Sequence, residues 1–124
     1  MMNAYLQVAL GGATGAVARF AVVRAMASHG PGFPVATALV NILGSLAMGL
    51  LAALMAHRWN NHYAPLLMTG MLGGFTTFSA FSLDALTLWQ RGQAMGAAIY
   101  VAGSVVLSLA AVIAGLAIGR GLWA

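Results

Sequence analysis

The sequence predicts an all-α integral membrane protein with four transmembrane helices and almost no mass outside the bilayer. Of 124 residues, 62% are hydrophobic and 5% charged, against roughly a quarter charged in ordinary soluble domains. The intervals Arg24 to Arg58, Arg58 to Asp84 and Arg91 to Arg120 each exceed the ~20 apolar residues that a membrane-spanning helix needs. Turn-forming and polar residues, among them His29, Gly30, Pro31, Asn60, Asn61 and Gly92, fall between the apolar runs.

Taken in order, the first span covers Tyr5 to Met26. It has no basic segment before it and its first apolar run stops at Gly11 and Gly12, so it is expected to be retained rather than cleaved as a signal peptide. The second covers Pro34 to Ala56 and carries Thr37, Asn41 and Ser45 at spacing four, on one helix face. The third runs from Tyr63 to Gln90. At its centre, paired glycines are followed by β-branched residues in Gly73-Gly74-Phe75-Thr76-Thr77, a poor helical segment that predicts a break. The fourth, Ala94 to Gly119, repeats the polar stripe with Tyr100, Ser104 and Ser108. Residues 1–124 are thus expected to form a single four-helix domain, joined by connectors at 27–33, 58–62 and 91–93.

Charge excludes several functions. The net charge of +4 comes from five scattered arginines set against Asp84, which is no basic run of the kind nucleic acid requires. There is no cysteine, hence no disulfide or thiol chemistry. His29, His57 and His62 fall near connectors without a nucleophile or carboxylate arranged beside them. Catalysis is not expected.

Four short helices leave little interior for a pathway, so the functional unit is expected to be an oligomer. Gly11/Gly15, Gly70/Gly74, Gly92/Gly96 and Gly115/Gly119 have the spacing that lets helix backbones approach closely. Arginines are almost evenly divided between the two membrane sides: Arg58 and Arg120 on one, Arg24 and Arg91 on the other, with Arg19 reaching the second side by snorkelling. Because this imbalance sets orientation, a near-tie suggests a chain that inserts both ways and pairs antiparallel.

In such a pair the two breaks would meet near the midplane. Unwound carbonyls there could hold a bare monovalent cation. Phe75, Phe78 and Phe81 follow at intervals of three. They fit a core or lipid-facing stripe. They also fit a second use, since the positive edge of an aromatic ring can stabilise an anion without formal charge. With the Asn41 amide and the serine, threonine and tyrosine hydroxyls, the rings would make a pathway of neutral donors. That suits an anion rather than a cation, whose pore would be expected to show acidic or carbonyl rings, and Asp84, the sole acid, lies well beyond the break.

Three segments resemble a known family. Gly11 to Phe20 (GGATGAVARF), Thr37 to Gly44 (TALVNILG) and Gly73 to Phe81 (GGFTTFSAF) are similar to the GGxxGAxxRY, TLxVNxxG and GGxTTFSTF segments of the small four-helix fluoride channels of bacteria, the Fluc or CrcB proteins. The resemblance covers nearly the whole chain. It implies a dual-topology antiparallel homodimer in the bacterial inner membrane, with two fluoride pores and a central structural sodium ion (Na+). It also implies passive fluoride export driven by membrane potential, protecting against fluoride trapped in the cytoplasm after entering as hydrogen fluoride.

Carried over by motif position, Phe78 and Phe81 would be ring-edge ligands and Asn41 an amide donor at the pore. Thr77, Ser79, Tyr100, Ser104 and Ser108 would line the polar track, and Arg19 a vestibule. Gly73 and Thr76 would offer carbonyls to sodium. The chain departs from the pattern with Phe20 for tyrosine, Ala80 for threonine and Asp84 for glutamate. A small multidrug transporter has a similar span count but needs a membrane glutamate, which this chain lacks. A non-conducting assembly subunit would leave Asn41 and the phenylalanines without a role.

Overall fold

The computed structural model describes residues 3–27, 33–57 and 61–123, so His29, Arg58 and most of the first two expected connectors lie outside the described residues. Four helical stretches are long and apolar enough to cross a membrane. Helix α1 is Ala4–Met26 and α2 is Val35–His57. The third stretch, Pro65–Gln90, is composite. It begins as a π-helix, α3 (Pro65–Leu72), passes through a single α-turn at Gly73–Phe75, and resumes as α4 (Phe78–Gln90). Helix α5, Ala94–Trp123, closes the chain.

Local chemistry sets the ends. Asn3 caps α1, its Oδ1 accepting from the Leu6 amide at 2.9 Å, which starts the helix one residue before the expected Tyr5. Pro65 opens α3, where its missing N–H leaves no bond unmade. Tyr63, the expected first residue of that span, instead belongs to a separate turn, Asn61–Tyr63. Its ring meets His62 edge-on at 5.5 Å. Helix α5 runs on past Gly119, the expected end, with Arg120 in its last turn, where a cation complements the helix dipole.

One expected glycine pair is corrected. Gly92 adopts φ +79° between α4 and α5, donating to the Trp89 carbonyl at 3.1 Å, while the next amide, Gln93, donates to Leu88 at 2.9 Å. This is a left-handed glycine stop, and Gly92 therefore takes no part in a helix-packing pair with Gly96. Gly11, Gly15, Gly70, Gly74 and Gly115 do pack helices, within the chain. A Cβ added at Gly11 or Gly15 would collide with the Leu66 or Met71 carbonyl, and one at Gly74 would come 2.6 Å from the Gly12 carbonyl. Gly49 on α2 and Gly115 on α5 approach each other in the same manner.

The molecule is thus two glycine-mediated pairs, α1 with α3 and α2 with α5. Helix α4 lies against α5 through Phe81, Leu88, Ala97 and Tyr100. That interior is small. Large apolar side chains such as Val17, Leu83, Met95, Val106 and Ile113 face outward at 62–72% exposure, a surface that lipid can cover and water cannot.

Candidate functional site

Thr76 (φ −87°, ψ 159°) and Thr77 (φ −152°, ψ 126°) are extended between the α-turn and α4. Extended backbone inside an apolar layer must find partners for its N–H and C=O. Asn41 supplies both from α2. Its Oδ1 accepts from the Thr77 amide at 2.7 Å and its Nδ2 donates to the Thr77 carbonyl at 3.0 Å. The pair copies the two-point bonding of neighbouring strands and holds the amide's plane. One Asn41 N–H is left with no partner among the described residues.

The threonine side chains complete the step. Thr77 Oγ1 accepts from the Ala80 amide at 3.2 Å, capping α4, and lies 3.3 Å from Ser79 Oγ. Thr76 Oγ1 donates to the Leu72 carbonyl at 2.9 Å. These bonds change which carbonyls are available. In a continuous helix the Gly73 carbonyl would accept from the Thr77 amide and the Thr76 carbonyl from Ala80. Here the first amide is held by Asn41 and the second by Thr77 Oγ1. Between them, the Gly74 carbonyl accepts from Arg19 Nε at 3.1 Å, so a cation from α1 sits at the carbonyl end of the turn, where the helix dipole favours it.

Beside the step lies an open groove of about 320 Å³. Asn41 and Ser45 of α2, Thr76, Thr77, Phe78 and Phe81, and Ser104 and Ser108 of α5 all line it. Phe78 is 78% exposed and Phe81 9%, their ring centres 5.6 Å apart and tilted by 44°. Phe81 in turn rests on Tyr100 at 5.2 Å, and Phe33 meets Tyr100 edge-on at 5.5 Å. Ser104 is 7% exposed and its Oγ has no hydrogen-bond partner among the described residues. A buried hydroxyl without a partner is costly; the residue borders the groove, while the oxygen itself is covered within the single chain.

Seven of the eleven site residues named from sequence therefore meet at one groove: Asn41, Thr76, Thr77, Phe78, Phe81, Ser104 and Ser108. Four do not line it. Tyr100 is buried behind Phe81, its hydroxyl donating to Asp84 Oδ2 at 3.2 Å. Ser79 is exposed next to Thr77. Gly73 is exposed one turn before the step, and Arg19 is tied to Gly74. Sequence reasoning missed Gly44, Met48, Val105 and Val112 in the lining. Helical spacing was the available signal: Gly44 and Met48 follow Asn41 by three and seven residues, and Val112 follows Ser108 by four. The lining offers hydroxyl and amide groups and two aromatic rings, a chemistry for binding rather than bond-making.

Fold and groove together define a small, all-helical, multi-pass membrane protein with a neutral polar site. Residues 6–116 match the family described as CrcB-like protein, Camphor Resistance (CrcB). The chain is 64% identical over 124 residues, 100% of both chains, to the fluoride-specific ion channel FluC of Paracoccus denitrificans (strain Pd 1222). It is 61% identical over 122 residues, 98% of each chain, to the protein of that name from Cereibacter sphaeroides (strain ATCC 17029 / ATH 2.4.9). With that of Rhizobium etli (strain CIAT 652) it shares 53% over 125 residues, 98% of this chain and 99% of the relative. The chain belongs to the CrcB-like family, as its three motifs led one to expect.

Proposed function

We propose that this chain is a fluoride-selective channel that lets fluoride leave the cytoplasm passively, and that it is not an enzyme. The observation that carries the reading is the groove, whose lining brings together Asn41, the hydroxyl residues Thr77, Ser104 and Ser108, and the Phe78 and Phe81 rings. Full-length similarity to proteins named fluoride-specific ion channel FluC supports the choice of anion. Fluoride is small and tightly hydrated. Donors in series replace its water a few contacts at a time, and because none carries a formal charge the ion can move on. Ser108 and the polar stripe of α5 continue the track, with Tyr100, Thr77 and Ser79 holding its shape and Arg19 raising anion concentration at one mouth.

The working unit in this reading is an antiparallel homodimer of dual topology in the bacterial inner membrane, with one groove contributed by each copy. A structural sodium ion lies between the copies. The donor set fits it: the Gly73 and Thr76 carbonyls have lost their helical amide partners to Asn41 and Thr77, and neutral oxygens suit a monovalent cation. The two residues from each copy would hold the ion, whose charge would fasten the two extended steps together.

Efflux of fluoride from liposomes holding the purified protein tests the reading: fluoride lost far faster than chloride supports it, and no flux of either ion from folded protein overturns it.

A further inference from the structure

Gly44 sits in the middle of α2, buried, one turn after Asn41 and facing the same extended step. A Cβ there would overlap Thr76 Cγ2 and come within 3.4 Å of Phe75 Cδ2. Its backbone is ordinary helix with no positive φ, so conformation gives no reason for glycine and alanine would serve the helix better. The reason is the hollow that Gly44 leaves for the Thr76 methyl.

Thr76 cannot readily vacate that hollow. Its χ1 is restricted by β-branching, and turning the methyl away would give up the bond from Oγ1 to the Leu72 carbonyl at 2.9 Å. On the far side the step is fixed, since Thr77 is held at both N–H and C=O by Asn41. A clash at Gly44 therefore presses Thr76 against that anchor and tilts the planar peptide that joins it to Thr77, whose N–H Asn41 holds. That peptide carries the Thr76 carbonyl.

We propose that Gly44 is a positioning residue for the cation site: by seating the Thr76 methyl it aims the Thr76 carbonyl. The inference rests on the reading of that carbonyl as a sodium ligand. It predicts that the chain's response to sodium depends on the fit between residue 44 and residue 76, beyond the effect of either on folding.

The test uses the full-length protein, purified in detergent, with melting temperature followed as sodium chloride replaces N-methylglucamine chloride. Wild type, Gly44→Ala, Thr76→Ser and the double variant are compared, and fluoride efflux from liposomes is measured at the same sodium concentrations. Serine keeps the hydroxyl that reaches Leu72 and removes the methyl that alanine would strike. Gly44→Ala is expected to raise the sodium concentration for half-maximal stabilisation by about tenfold, while the double variant returns to near the Thr76→Ser value. An unchanged sodium half-point in folded Gly44→Ala, or a double variant no better than Gly44→Ala, overturns the inference. Should Gly44→Ala not fold, recovery of a sodium-responsive protein in the double variant supports the inference and its failure there overturns it. A wild type whose melting and flux ignore sodium refutes the underlying cation reading, a result visible before any variant is compared.

Discussion

Asn41 and Thr77 are 36 residues apart in sequence, yet a two-point amide pair joins them. Asn41 was legible as a polar intruder in an apolar span, because an amide in hydrocarbon demands partners. Which partner it takes was not legible, since the answer depends on how α2 lies against the third span. The same holds for Arg19, expected at a vestibule from the motif and found donating to the Gly74 carbonyl. Phe78 and Phe81 illustrate how alike residues separate once packed. Phe81 is buried on Tyr100, whereas Phe78 stands 78% exposed in the single chain. Replacing either with alanine is expected to abolish fluoride flux, since both rings border the groove. Stability should divide them: Phe81→Ala costs about 3–5 kcal/mol and Phe78→Ala less, read from thermal melting. Normal flux in both variants would return the rings to a merely structural role.

At the scale of elements, three of the four apolar stretches could be placed from charge spacing and the first from its own apolar run, because hydrocarbon thickness fixes helix length and leaves little freedom. The π-helical form of Pro65–Leu72 could not. Nothing in Pro65-Leu66-Leu67-Met68-Thr69-Gly70-Met71-Leu72 separates a π-helix from an α-helix, since Pro65 opens either and Gly70 weakens either, and Gly70 packs on Gly11 of α1 only in the folded chain. Glycine pairs were equally visible, but spacing does not say whether a pair faces its own chain or another. Gly11, Gly15, Gly70 and Gly74 face one another within this chain. A comparison follows. Gly15→Ala drives a Cβ into the Met71 carbonyl, while Gly12→Ala meets nothing within 4 Å. The first should lower stability by about 1–3 kcal/mol and the second leave the melting temperature unchanged. Equal melting of the two would mean that the α1–α3 seam is looser than the glycines imply.

The whole molecule presents more apolar surface than it hides. In the four spans the most apolar stretches are only 28% buried or less, so lipid or a second copy must cover the rest. An arginine count that barely favours one side accounts for how a second copy could be inverted. Fusing a topology reporter to the C-terminus should place it on both faces of the membrane in comparable amounts, and adding two arginines to one connector should force a single orientation. A wild-type C-terminus confined to one face would exclude the antiparallel pair. The central claim is selective conduction of fluoride. Its most direct test is efflux from liposomes holding the purified protein, followed with a fluoride electrode, repeated with chloride, and with voltage clamped by a potassium ionophore. Rapid loss of fluoride with negligible loss of chloride is the predicted result; no flux of either ion from folded protein would contradict it.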